Sequence, residues 1–435
     1  MSPRKLITMV LLVGITTATS AKQGRAQPVW RKPPPEGVIE IIGISAIGNI
    51  VALKDGSLML AQNRGYRISK DGGKTWGKGG SLALEVGGMI RLKSGALGLY
   101  GGPVGNRYFS SSTDEGKTWA KPSPLPSYGG GFHPMHHSLI QLSTGRLILV
   151  GYAQINFAAP DVSRYSASNW GVWRGIPIYM EGHRTPEMGI VVVYYSDDEG
   201  KTWKQCGGKY GGLFGWFDER GIPNGKGGIT GVFEPTAAET KDGRVLLFAR
   251  SKCGRLVQSY SMTQGEIWHS ILPTELASSA APPMLVQIPS TGDLLCVWNQ
   301  ISGEELRRGW HRGRLTAAIS KDSGLTWVNF KTLELQEGMD DVARIAPEFP
   351  IAREVRGRPG LGRLVDGYAQ FSYANVDVIN KQVFIRYHRL WVAGAEKPAT
   401  KKPSLKWTDY EKQEKKMPFG GQNILRIYPL EWFYK

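Results

Sequence analysis

The stretch Ser69-Lys-Asp-Gly-Gly-Lys-Thr-Trp76 decides how this chain is read, because the chain repeats it. It returns as Ser112-Thr-Asp-Glu-Gly-Lys-Thr-Trp119, Ser196-Asp-Asp-Glu-Gly-Lys-Thr-Trp203 and Ser320-Lys-Asp-Ser-Gly-Leu-Thr-Trp327. A worn copy, Ser261-Met-Thr-Gln-Gly-Glu-Ile-Trp268, keeps Ser, Gly and Trp at the same offsets. In the pattern Ser-x-Asp-x-Gly-x-Thr-Trp, Asp caps a tight turn by accepting backbone N–H groups, and Gly supplies a positive φ. Thr opens the outgoing strand, and Trp is a large apolar plug whose N–H still needs a partner. Four intact copies in one chain mark a repeat protein.

Working outward, each of the five boxes follows an apolar strand, a polar Gly turn and a second apolar strand. These hairpins run over residues 50–60, 89–99, 139–149, 236–247 and 284–295, and a sixth, without a box, covers 373–384. A hairpin, a third strand ending in the box and a fourth strand after Trp make one four-stranded sheet. Such a sheet cannot bury both faces alone, so six of them stack radially. The expected fold is all-β, a six-bladed β-propeller with Asp-box turns, with blade boundaries near 80, 128, 222, 274 and 336. Val38–Ile42 and Ile424–Ile427 are placed to complete one blade from both chain ends.

The totals agree with many short strands: 56 Gly and 41% hydrophobic residues in 435, with no sustained 3.6-residue periodicity. Residues 1–26 read as an export signal, with Arg4 and Lys5 before the apolar run Leu6–Ile15 and small residues after it. That run is too short to span a bilayer, and no integral membrane segment is expected. Residues 27–36 form an extended lead-in, and residues 37–435 a single propeller domain. Two insertions interrupt the repeat: one near 153–185, rich in aromatics such as Tyr165, Trp170, Trp173 and Tyr179, and a Lys-rich one near 397–416. The first is a candidate wall for a binding pocket, the second a solvated excursion. Cys206, Cys253 and Cys296 are too few for a disulfide framework, and no Cys/His spacing suits a metal. The net charge of +17 is scattered rather than clustered, so no nucleic-acid partner is expected. A basic surface of this kind either aids solubility or attracts acidic polymers. No cofactor is implied, and a monomer is expected.

The boxes, the six hairpins and the export signal together resemble the sialidase (neuraminidase) superfamily of Asp-box, or BNR-repeat, propellers, over nearly the whole mature chain. The resemblance implies that the box aspartates are structural. It implies a site of arginines holding a substrate carboxylate, a tyrosine nucleophile with a glutamate partner, and an aspartate acid/base. Planar guanidinium groups suit that carboxylate because they bond it bidentately. Carried over residue by residue, the glutamate is Glu234 in Phe233-Glu-Pro-Thr236, and the second arginine is Arg250 in Leu247-Phe-Ala-Arg-Ser251. The third arginine falls on Arg312, with Arg314 as the other candidate in Arg312-Gly-Arg-Leu-Thr316. The tyrosine is Tyr373 in Phe371-Ser-Tyr-Ala374.

The first-blade part of that pattern has no counterpart here. Ser45-Ala-Ile-Gly-Asn-Ile50 stands where an arginine is implied, and Gln62-Asn-Arg-Gly-Tyr66 has no carboxylate where the aspartate is implied. Arg64 or Arg67 is the available substitute for the cation. The histidines at 133, 136 and 137, just ahead of the third hairpin, are the available acids, His133 and His136 first. The expected function is an exported exo-glycosidase that removes a terminal sugar, an acidic one such as sialic acid, from extracellular glycans or acidic polysaccharide. Tyr373, Glu234, His133 and His136 would be catalytic, and Arg250, Arg312 and Arg314 would bind substrate. Two alternatives remain open: a polysaccharide lyase or other glycosidase using a His/Tyr pair on the same ring, and a non-catalytic glycan-binding propeller.

Overall fold

The computed structural model describes residues 33–126, 132–156, 169–173, 176–180, 187–206, 212–213, 215–217, 228–230, 232–251, 254–301, 312–336, 369–392 and 419–435. The expected export signal, most of the expected lead-in, the Lys-rich 397–416 insertion, Tyr165 and Cys253 lie outside these residues. Cys296, buried in the fifth blade, is not in a disulfide.

Every hairpin forms the inner pair of a blade. Blade one holds Asn49–Ala52, Leu58–Ser69 and Gly80–Val86; blade two holds Gly88–Arg91, Leu97–Gly101, Tyr108–Ser112 and Ser123–Pro124. Blade three is built on His133–Gln141, Leu147–Asn156, Glu187–Ser196 and Lys204–Gln205. Blade four has Phe233–Glu239, Val245–Arg250, Arg255–Ser261 and Leu272–Ala277, and blade five Met284–Gln287, Leu294–Trp298, Arg314–Ser320 and Val328–Leu335. Blade six takes Ala369–Ile379, Gln382–Val392 and Phe419–Pro429, and its outermost strand is Ile39–Ile42 from the other chain end. Ile39 pairs with Ile427 and Ile42 with Ile424, the closure expected from the two apolar termini.

Two expectations need correcting. Blade one has three strands rather than four, because residues 62–66 are too few for a separate loop and Leu58–Ser69 runs on as one strand. The boundaries expected near 80 and 274 also come too early, since Gly80–Val86 and Leu272–Ala277 still belong to blades one and four. The first insertion contributes a two-stranded ribbon, Asn169–Trp173 against Ile176–Met180.

The innermost strands pack one on the next around the ring, and blade six on blade one. They line an axial channel of about 550 Å3, to which Asn49, Met89, His137, Ala237, Leu285 and Asp377 each contribute from a different blade. Six separate apolar clusters fill the six blade–blade interfaces. That explains why strands such as Leu294–Trp298 are apolar throughout instead of alternating: both faces of a blade are covered, and all five of these residues are buried.

The boxes join neighbouring blades at the rim. In the first, Ser69 Oγ donates to Asp71 Oδ1 (2.8 Å) and accepts from Gly73 N (2.8 Å). Thr75 donates from N and Oγ1 to the two Asp71 oxygens (2.9 and 2.6 Å), and Trp76 Nε1 finds its acceptor in Gly73 O (2.9 Å). The Thr75 hydroxyl and amide, then the Ser69 hydroxyl, hold the Asp71 carboxyl at about 2. In the worn box Thr263 Oγ1 takes over the aspartate's role, accepting from Ile267 N at 2.8 Å. The box glycine has φ near +90°, and the residue before it is also left-handed: Glu199 at 54° precedes Gly200 at 87°. Gly200 also lies against the previous blade, where a Cβ would meet Phe109 Cδ1 at 2.1 Å.

Gly200→Ala is therefore expected to cost about 2–4 kcal/mol, backbone strain plus overpacking. Gly116→Ala, with the same φ but nothing nearer its Cβ than 3.6 Å, should cost only the strain, about 1–2 kcal/mol. Urea unfolding of the two variants checks this; equal losses would contradict the packing role of Gly200.

Candidate active site

The innermost strands of three blades leave regular pairing at the same level. In blade four the ladder skips from Phe233 to Thr236 and releases Glu234 and Pro235. In blade six it skips from Ser372 to Asn375 and releases Tyr373 and Ala374. In blade three it skips from Pro134 to Leu139, so residues 135–138 bulge. A bulge re-aims the side chains it releases. Glu234 (φ 49°) and Tyr373 (φ 55°) are both left-handed, at a cost of about 1–3 kcal/mol each for non-glycine residues. The surroundings hold that backbone: Asn375 Nδ2 donates to Tyr373 O (3.3 Å) and to Ala46 O of the blade-one approach (2.6 Å). Phe371 N donates to Arg312 O (2.9 Å), which ties blade six to the segment carrying Arg312.

The four residues carried over by resemblance come together. The Tyr373 hydroxyl donates to Glu234 Oε1 at 3.0 Å, and Arg250 Nη1 reaches Glu234 Oε2 at 2.8 Å. Arg312 lies with its guanidinium carbon 5.1 Å from the centre of the Tyr373 ring, and its Nη1 donates to Ser372 Oγ at 3.1 Å. Burial pushes the Glu234 carboxyl up, but the charge and hydrogen bond of Arg250, then Arg312 and the Tyr373 hydroxyl, outweigh it and hold it below its ordinary value of 4.5. Burial first, and then the Glu234 charge, raise the Tyr373 phenol, against the opposing pull of the two arginines. The resting pair is thus a carboxylate beside a protonated phenol, placed so that Glu234 can accept the phenol proton. Burial and the repulsion of Arg250 lower the Arg312 guanidinium.

Tyr373 opens onto a cavity of about 290 Å3, lined also by His137, Pro235, Pro283, Met284 and His388. That is the lower end of small-ligand pockets, the size of a single sugar unit.

The other expectations fare differently. Arg314 is fully buried in its own strand, and the charges acting on Glu234 and Tyr373 are those of Arg250 and Arg312. Arg64 and Arg67 are exposed, and Arg64 Nη1 donates to Ala83 O at 3.2 Å, so neither replaces the first-blade cation. The backbone there is instead occupied by Arg386 of blade six, which donates to Ile47 O (2.9 Å) and Gly48 O (2.7 Å) and pairs with Asp377 (2.9 Å). His133 stacks on Tyr152, ring centres 5.1 Å apart, and Tyr152 meets the edge of Phe233. Burial, then the Arg107 charge, lower His133, so it holds a proton poorly. The His136 side chain lies outside the described residues. Sequence reasoning passed over His388, which enters the cavity from a second strand with no local pattern to mark it, and placed His137 behind its two neighbours. Among the described residues no group of three or more His, Cys, Asp or Glu is placed to hold a metal, and no helix is long and apolar enough to cross a membrane.

Residues 98–385 match the family described as BNR repeat-like domain. The chain belongs to the BNR repeat-like family. The Asp-box propeller expected from the repeated octapeptide is thus met by the family and by the ring. No curated protein sequence matches the chain. Among solved structures, it is similar to the Penicillium chrysogenum alpha-L-arabinanase complexed with arabinobiose (14% identity, 81% of this chain and 91% of that one, TM-score 0.41). It is similar to the GH93 alpha-L-arabinofuranosidase of Fusarium graminearum with arabinobiose (13%, 89% and 93%, TM-score 0.45). A third is the Trypanosoma rangeli sialidase in complex with a difluorinated nononic acid (13%, TM-score 0.43), where 89% of this BNR-repeat chain spans 54% of the other.

Arg250 is what keeps Glu234 ionised despite its burial. Replacing it with Met lets burial prevail and raises the Glu234 carboxyl, so any activity that needs the carboxylate should show its acid limb at higher pH than in the parent. A pH profile of kcat/KM, which reports groups of the free enzyme, checks this; an unmoved limb would show that Glu234 is not the group that titrates.

Proposed function

We propose that this chain is an exported glycoside hydrolase that removes a terminal acidic sugar, sialic acid or a close relative, from extracellular glycans. The observation that carries the reading is the Tyr373 hydroxyl 3.0 Å from Glu234 Oε1. A neutral phenol attacking an anionic sugar meets no charge repulsion, and it becomes a strong nucleophile only as Glu234 takes its proton. Tyrosine nucleophiles are a known departure from the two-carboxylate scheme of glycosidases. Arg312, which among the described residues makes no carboxylate contact, is the cation for the substrate's carboxylate. Arg250, already paired with Glu234, sets the charge of the base. A merely structural network would not need two left-handed residues beside a sugar-sized cavity.

A second reading, hydrolysis of a neutral furanoside, is favoured by two observations. Arg250 is neutralised by Glu234, and much of the cavity wall is apolar, with Pro235, Pro282, Pro283 and Met284. The arabinan-directed enzymes among the similar structures belong to this second reading.

The test is a panel of 4-methylumbelliferyl glycosides. The α-sialoside should be hydrolysed and the α-L-arabinofuranoside should not. Tyr373→Phe should lower kcat/KM about a thousandfold or more without lowering the melting temperature. Cleavage of the arabinofuranoside alone would establish the second reading. An unsaturated, ultraviolet-absorbing product from acidic polysaccharide would replace hydrolysis with elimination, and full activity in Tyr373→Phe would remove the nucleophile.

A further inference from the structure

A sugar cannot leave at a useful rate from an unactivated glycoside unless its oxygen is protonated, and Tyr373, Glu234 and the two arginines supply no such proton. Glu234 is ionised and takes a proton in the same step. Three blades bulge at one level around the axis; two of those bulges deliver Glu234 and Tyr373, and the third spans residues 135–138 of blade three. From that bulge His137 faces the same cavity as Tyr373.

The ring is held from below. His137 Nε2 lies 3.4 Å from Asp377 Oδ1, while Asp377 Oδ2 accepts from Arg386 Nη2 (2.9 Å) and Ile50 N (3.2 Å). Asn49 Nδ2 stands 3.2 Å from both ring nitrogens, and Asn49 Oδ1 accepts from Met89 N at 3.0 Å, which fixes the amide with its NH2 toward the ring. Asp377 favours a proton on Nε2, and we assign Nδ1 as the nitrogen that exchanges its proton. Asn49 lies equally far from both nitrogens, so it steadies the ring without choosing between them. A carboxylate that orients a histidine and fixes its tautomer is the arrangement that acyl-transfer triads use for the same purpose.

We propose that His137, oriented by Asp377 and Asn49, is the proton donor to the leaving group, an assignment that rests on the glycosidase reading above. As the bond between Tyr373 Oη and the anomeric carbon forms, the phenol proton passes to Glu234. The bond to the leaving oxygen breaks, and its electron pair takes the proton from His137 Nδ1. In the second half His137, now neutral, takes a proton from water, whose oxygen attacks the same carbon. The phenolate leaves and recovers its proton from Glu234. The sum is hydrolysis, with every group restored.

The experiment compares kcat/KM on two probes, 4-methylumbelliferyl α-sialoside, whose phenol leaves without help, and sialyllactose, whose sugar alcohol does not. His137→Gln, with His137→Asn as a second replacement and melting temperatures to verify folding, should lose about 10²–10⁴-fold on sialyllactose and less than about tenfold on the aryl probe. His388→Gln, from the same cavity, should show no such split. Equal losses on both probes, in whichever His137 variant folds, would reduce His137 to a wall of the cavity, and a split in His388→Gln would transfer the role there; either overturns the proposal. Parent enzyme that hydrolyses neither probe, or Tyr373→Phe as active as the parent, removes the glycosidase reading itself and the role with it, a failure visible without any histidine variant.

Discussion

Ring closure is the constraint on which everything else depends. Six like sheets bury their faces only if the last meets the first, and here the seal is Ile39–Ile42 laid against Phe419–Pro429. A buried ionic cluster marks the join. Glu40 accepts from Arg426 Nε (2.9 Å) and Arg389 Nη2 (3.2 Å), and Glu334 of blade five accepts from the same two arginines and from the Tyr387 hydroxyl. Buried ion pairs add little net stability once desolvation is counted, and their better-supported use is to select one arrangement. Here a slip of one residue would turn Glu40 to the other face of the blade and take from both guanidinium groups one of their two carboxylates. The cluster thus accounts for the choice of register rather than for the strength of closure.

Closure places the innermost strands around one axis, and the candidate site lies where those strands depart from regularity. Glu234 and Tyr373 lie 139 positions apart in the chain, yet a bulge in each of two blades sets them a hydrogen bond apart. Both carry left-handed backbones that neither residue type favours. The strain is tolerated because Asn375, Phe371 and the blade-one segment at Ala46 hold the surroundings in place. A rigid scaffold that imposes unfavourable backbone at two facing positions is a scaffold built around them.

The fold was legible because its information is local and repeated: the octapeptide, the hairpin before it and the apolar ends each announce themselves within a dozen residues. Glu234, Arg250, Arg312 and Tyr373 came from the family resemblance, matched at their places relative to those repeats. What could not be read were contacts made across the ring. Arg386 occupying the backbone at residues 47–48, Asp377 under His137 and Glu40 between Arg389 and Arg426 join positions with no local pattern. Arg312 was preferred, with Arg314 two residues on as the other candidate; the strand starts at Arg314 and buries it, while Arg312, just outside, is left to reach Tyr373. The three-stranded first blade was missed for a related reason, since a shared repeat unit does not reveal where one copy lost its loop.

The central claim, that closure turns Tyr373 into a nucleophile facing Glu234, is tested most directly by trapping. A sialosyl fluoride carrying a second fluorine next to the anomeric centre should form a slowly hydrolysed adduct, visible in the intact mass. Peptide mapping should find it on Tyr373, in the strand Ala369–Ile379. A label on Glu234, or turnover of the reagent with no covalent species at any residue, would contradict the account.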